Sequence, residues 1–323
     1  MYTHYYGFSE NPFNITPDPR FLYLTPGHRE ALAALTYGIK ERKGFVALIG
    51  EVGTGKTTLL YRLLDNLDEK VHTAFIFHTS TTYRELLKNI LSELGLPVTD
   101  DDTFLLICRL NRYLTERAVA DEIVALIIDE AQNLSEEVLE DIRLLSNLET
   151  RTTKLLQIVL CGQPELEVKL NAAGLRQLRQ RIPILRRIGP LNEAECLDYV
   201  EHRLKIVGGN AAGLFTSGAM SLLWTHSRGI PRIINVMCDN ALLIGFAASC
   251  KTIDEAIMRE VIKDMNGTPF HDAPFIPAPS LSAPEPVPLA VRRLEVLERL
   301  LACVTAKRRT ASCGRRREGC PPG

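Results

Sequence analysis

The sequence predicts an α/β fold: a parallel-sheet domain carrying a phosphate loop, then an all-α segment, then a Pro-rich, basic and mostly disordered tail. Three observations predict it. Apolar runs of strand length ("GFVALI", "EIVALII", "LLQIVLCG") alternate with helical patterns of ten or more residues, as in a parallel sheet with crossover helices. The strand signals stop near Pro190 and only helical patterns follow. From Thr268 the stretch "TPFHDAPFIPAPSLSAPEPVP" has no core-forming pattern. These shifts divide the chain into residues 1–190, 191–267 and 268–323.

The first 28 residues are rich in Pro and aromatics, which excludes long helices there. "REALAALTYGIKER" (29–42) has a helical period, with Leu32, Leu35 and Ile39 on one face. A strand at 45–49 leads through a glycine-rich loop into a helix at about 56–67, and "VHTAFIFHTS" (71–80) reads as a second strand. "TYRELLKNILSELG" (82–95) is an amphipathic helix closed by Gly95, and another helix is expected at about 101–118. A strand then runs into Asp129 and Glu130. "SEEVLEDIRLLSNLE" (135–149) opens on a Ser N-cap with acids in its first turn, and a buried strand follows at 155–162. "NEAECLDYVEHRLKIVG", "TSGAMSLLWTHSRG", "PRIINVMCDNALLIGFAAS" and "DEAIMREVIKDM" read as four helices. In the tail, a stripe of Leu289, Leu294, Leu297, Leu300 and Leu301 predicts a short amphipathic helix at about 290–306.

The 323 residues are 46% apolar and 24% charged, an ordinary soluble composition. Net charge is −1, but residues 291–323 hold nine Arg or Lys against three Glu, so the preceding 290 are acidic. That balance argues against a broad DNA-binding surface on the folded part, while the basic tail allows local contact. The eight cysteines show no metal or disulfide spacing, and Cys108, Cys161 and Cys238 read as small core residues. No signal-peptide pattern opens the chain, and the ten-residue run "ALLIGFAASC" is too short to span a bilayer.

Chemistry concentrates in two places. "GEVGTGKTT", from Gly50 through Glu51, Val52, Gly53, Thr54, Gly55, Lys56 and Thr57 to Thr58, has phosphate-loop spacing between a strand and a helix. Glycines there let backbone N–H groups converge on an anion at a helix N-terminus. In that reading Lys56 reaches the β- and γ-phosphates of ATP and the Thr57 hydroxyl ligates Mg²⁺. The second place is "VALIIDEAQNL", where Asp129 leaves the C-terminal end of a strand to hold Mg²⁺ and Glu130 polarises the attacking water. The competing reading has the two acids merely capping the next helix.

Polar Gln163, just past the strand "LLQIVLCG", could orient that water or touch the γ-phosphate; a plain turn at "GQP" competes. Arg176, Arg179 and Arg181 in "LRQLRQRI" offer an arginine for a neighbouring subunit's nucleotide, against the reading of solvated helix residues. Arg232 in "RGIPRIIN" starts a helix from which it could fold back on the phosphates, or it is a surface residue.

"GEVGTGKT", "LIIDEAQNL", "VLCGQPEL", "LRQRI" and "GIPRIIN", in this order, resemble an AAA+ ATPase, and "YYGFSENPFNITPDPRFLYLTPGHREAL" resembles the ExeA/GspA ATPases of general secretion pathway component A. The resemblance covers about residues 5–266. It implies a sheet domain followed by a helical lid, with ATP between subunits of a ring or dimer. By the same resemblance Pro12, Phe13 and Ile15 pack on the adenine, Gln163 and Arg232 are the two sensor positions, and Arg181 is the trans-acting arginine. Family members continue into a membrane span and a peptidoglycan-binding module, whereas this tail resembles neither. The expected role is an oligomeric, Mg²⁺-dependent ATPase of envelope export, secretion or pilus assembly, in the cytoplasm or peripheral at the inner membrane. The alternative is a transposition-type regulator acting on DNA. A nucleotide-gated scaffold without hydrolysis is disfavoured by the intact acid pair.

Overall fold

In the computed structural model, the described residues are 1–267 without 78, 80, 99, 100 and 210; the tail readings, including the Leu289–Leu301 stripe, lie outside them. A short helix α1 (Tyr2–Tyr6) and a 3₁₀ turn at Pro19–Phe21 precede α2 (Pro26–Lys40). The alternation of β1 (Phe45–Gly50), α3 (Lys56–Asn66), β2 (Val71–Ile76), α4 (Tyr83–Glu93), α5 (Thr103–Val119), β3 (Ile123–Ile128), α6 (Glu136–Leu145) and β4 (Leu156–Gly162) follows. After α7 (Pro164–Leu170) and α8 (Arg176–Gln180) comes β5 (Ile184–Ile188), and then only helices: α9 (Glu193–Ile206), α10 (Ala211–Leu214), α11 (Ser217–Ser227), α12 (Pro231–Ala247) and α13 (Glu255–Gly267).

The five strands are all parallel, in the order β2-β3-β4-β1-β5. Every residue of β1 and of β4 is buried, which is why these segments read as unbroken apolar runs rather than alternating ones. The alternation survives as a choice of face. Phe45, Ala47 and Ile49 join the core beneath α4, α5 and α6, whereas Val46 and Leu48 join the core beneath α2 and α3. Each fully buried Leu or Ile in these layers contributes about 2 kcal/mol. Side-chain caps fix the helix starts: Thr25 on α2, a Thr82–Glu85 capping box on α4, Ser135 on α6 and an Asn192–Glu195 capping box on α9, each of the kind that is worth about 1 kcal/mol.

Three expectations change. β5, "ILRRI", went unread because it is a half-exposed edge strand that turns Arg186 and Arg187 outward. The second strand stops at Ile76 rather than reaching residue 80. Cys108 is exposed: α5 buries Leu106, Leu110 and Leu114, and a residue two positions from Leu106 falls on the opposite side of the helix. Cys161 and Cys238 are buried as read, and burial, ahead of other causes, holds both thiols far above the usual range.

A third core belongs to the helices after β5. It also takes in Phe8, Phe13 and Phe21 from the N-terminal segment, which therefore runs across α9–α13 before it reaches the sheet.

Candidate nucleotide site

β4 lies between β1 and β3, so the loop after β1, the acids after β3 and the residue after β4 all emerge on one edge of the sheet. This is where ligands bind in open parallel sheets. The loop Glu51–Gly55 turns back with Gly53 at φ 81° and Gly55 at φ 95°. Lys56, 4% exposed, folds its Nζ onto the carbonyls of Gly50 (2.8 Å) and Glu51 (3.0 Å). The loop is braced from α2. His28, buried, lies with Nε2 3.1 Å from the Thr54 carbonyl, and Nδ1 2.7 Å from the Thr25 hydroxyl. A carbonyl only accepts, so Nε2 carries the hydrogen and Nδ1 accepts from Thr25. Burial, the largest cause, lowers the His28 pKa.

The Thr57 hydroxyl donates to Asp129 Oδ2 over 2.6 Å, and Asp129 is 2% exposed. The other Asp129 oxygen accepts the Glu130 backbone N–H at 2.9 Å. Glu130 adopts a left-handed backbone (φ 51°), and its carbonyl accepts from the buried Thr79 hydroxyl. Its carboxylate Oε2 accepts two amides, from Gln132 (2.6 Å) and Gln163 (3.0 Å). A hydroxyl and a carboxylate side by side at a phosphate loop form an all-oxygen donor set suited to Mg²⁺.

A cleft of about 460 Å³ opens from the loop between the sheet and the helices. Gly53, Thr54, Gly55, Lys56, Thr57 and Thr58 line its phosphate end, together with Val52 and Glu130. The rest of its lining is mixed, with Ile15, Phe21, Leu191 and Pro231 beside the polar Asp18, Arg203 and Asn235. Arg232, exposed at the first turn of α12, also lines it, while its backbone N–H donates to the Gly53 carbonyl. Pro12 and Phe13 do not line the cleft, which corrects their expected stacking on a base. Phe13, 1% exposed, inserts into the helical core instead, and the Pro12 carbonyl accepts from Arg203 Nε. Of the three, Ile15 alone faces the cleft.

Arg181 stands apart from the cleft. One terminal nitrogen donates to Ser146 Oγ (2.7 Å), Asn147 Oδ1 (2.6 Å) and the Arg143 carbonyl (3.3 Å) at the end of α6. Arg176 is exposed, and Arg179 donates only locally, to the Ile182 carbonyl at 3.4 Å.

Sequence reasoning missed His28, Gln132 and the buried trio Tyr199, Arg203 and Asn235. Arg203 donates to the carbonyls of Pro12 and Asn14 and to the Tyr199 hydroxyl, which in turn donates to Asn235. His28 and Gln132 sat inside motifs already quoted, "PGHREAL" and "DEAQNL".

The AAA domain family matches residues 39–170. General secretion pathway protein A of Aeromonas hydrophila is 46% identical over 248 residues, covering 76% of this chain and 45% of the relative. The chain thus spans about half the length of that curated relative. Among solved structures, the Aeropyrum pernix ORC2 protein superposes with a TM-score of 0.60 at 17% identity, covering 80% of this chain and 72% of that one. Cdc6p from Pyrobaculum aerophilum gives 0.60 at 20% identity (80% and 71%), and Drosophila ORC bound to DNA gives 0.55 at 17% (81% and 67%). These likenesses show the fold. The phosphate loop and the acid pair both fall within the stretch that matches the AAA domain family. Over 76% of its length the chain is similar to general secretion pathway protein A. No helix among the described residues is long and apolar enough to cross a membrane.

Proposed function

We propose that the cleft binds ATP with Mg²⁺ and hydrolyses it. The observation that carries this is the Thr57–Asp129 hydrogen bond at 2.6 Å beside a Glu130 carboxylate held by two amides. Backbone N–H groups of the loop and the start of α3 meet the phosphates, and Lys56 leaves its carbonyl partners to neutralise the β- and γ-oxygens. Thr57 and Asp129 would hold Mg²⁺, which when bound neutralises charge on the phosphate oxygens. Glu130 accepts a proton from the water that attacks the γ-phosphorus, as the bond to the β-phosphate oxygen breaks and ADP leaves. Gln163 orients Glu130 and that water from the end of β4. Arg232 reaches the phosphates from α12, and Ile15 and Phe21 enclose the base.

Arg181, held at the end of α6 and outside its own cleft, serves the nucleotide of a second copy, the role that the resemblance to AAA+ ATPases implies for it. ATP would then assemble the chain into a ring or dimer. Residues 1–190 act as the nucleotide domain and 191–267 as the lid. The identity with general secretion pathway protein A supports a motor or switch in envelope export, secretion or pilus assembly, working where ATP is available, in the cytoplasm or at the inner face of the inner membrane. The DNA-regulator alternative draws on the basic tail, which lies outside the described residues. The test is phosphate release from ATP with and without Mg²⁺. Turnover that needs Mg²⁺ supports the reading, and turnover indifferent to chelation contradicts it.

A further inference from the structure

We infer that Gln132 is a positioning residue that sets the Glu130 carboxylate for hydrolysis, an inference that rests on the proposed role of Glu130. Gln132 is wired at both ends of its amide. Its Nε2 donates to Glu130 Oε2 (2.6 Å), and its Oε1 accepts the backbone N–H of Gln163 (3.1 Å). Gln163 closes the ring by donating its own amide to the same Glu130 oxygen (3.0 Å). Both donors engage Oε2, which leaves Oε1 as the oxygen that takes the proton from water.

The surroundings hold this ring in place. A Cβ on Gly162 would lie 2.8 Å from Gln132 Oε1, so only glycine at the end of β4 lets the amide approach. Lys169, on α7, donates to the Gln132 and Leu134 carbonyls at 2.7 Å each, fixing the 3₁₀ turn that carries Gln132. Glu130 itself has a left-handed backbone, a conformation that persists only where neighbours over-determine it. Gln132 therefore ties the water-activating acid to the strand between the loop and the acid pair. A change at β4 or α7 reaches the carboxylate through Gln132 as well as through the Gln163 amide.

The test is steady-state ATP turnover by the full chain carrying Gln132→Met, which keeps the length and removes both hydrogen bonds, with Gln132→Ala beside it. The expected result is a kcat lower by on the order of tenfold, the scale of a misplaced catalytic group, with KM for ATP within about twofold and an unchanged melting curve. In the Glu130→Gln background, Gln132→Met should cost no further turnover, because its effect runs through the Glu130 carboxylate. Unchanged kcat in both single variants, or the same fractional loss in both backgrounds, overturns the role of Gln132 while leaving Glu130 standing. Full turnover in Glu130→Gln alone overturns both.

Discussion

The backbone N–H of Arg232 donates to the carbonyl of Gly53 over 3.2 Å, so the tip of the phosphate loop touches the first turn of α12. The contact needs a glycine twice over. Gly53 has φ 81°, and a Cβ there would lie 2.6 Å from the Arg232 Cβ. Gly53→Ala should therefore push the loop and α12 apart, at a cost of about 1–3 kcal/mol from backbone strain alone. Thermal melts should show a drop of several degrees, and titration with a fluorescent ATP analogue should show weakened binding.

Lys56 is buried with its ammonium against two carbonyls of its own loop, so its charge is already desolvated where the phosphates are expected. Lys56→Ala should abolish measurable ATP binding by calorimetry and leave the melting temperature of the free protein nearly unchanged. Undiminished affinity would remove the lysine from the site.

His28 gives the loop a pH dependence whose sign follows from its burial. Its folded pKa lies below the ordinary value of about 6.5, so the unfolded chain takes up the proton first as pH falls. The stability it supports is complete above about pH 6.5 and declines as pH drops through the lower folded value. Urea melts between pH 7.5 and 5 should show this decline, and it should be smaller in His28→Gln. His202 is shifted in the same direction, by burial first, so the comparison with the variant isolates the His28 share.

Arg181 is held at the end of α6 by Ser146 and Asn147 and touches no part of its own cleft. Arg181→Ala should keep ATP affinity and lose turnover by on the order of a hundredfold or more, as with other arginines supplied in trans. Light scattering with a non-hydrolysable analogue should show the unmodified chain forming dimers or rings. A fully active monomer at high concentration would contradict the role.

Most of the sheet was legible because a strand buried on both faces, such as β1, must be apolar throughout, and the loop and acid pair were legible because phosphate binding fixes residue types at fixed spacing. What escaped was set by partners far along the chain. Arg203 looks like any helical arginine until its bonds to the carbonyls of Pro12 and Asn14 are seen, and those partners lie some 190 residues earlier. Phe13 was expected on the base by family resemblance alone, and its ring is instead buried in the helical core. β5 was hidden by Arg186 and Arg187, which an edge strand tolerates and a central strand would not. Gln132 gave no signal of its own because its role exists only once β3 and β4 are neighbours.

The proposed hydrolysis turns on Glu130, whose carboxylate, clamped by two amides, activates the attacking water. Glu130→Gln retains the size of the side chain and removes its basicity. The measurement is single-turnover hydrolysis by enzyme in excess over radiolabelled ATP, with binding monitored in parallel. Binding should persist while the hydrolysis rate falls by on the order of a hundredfold or more. Equal rates in the two proteins would contradict the role of Glu130.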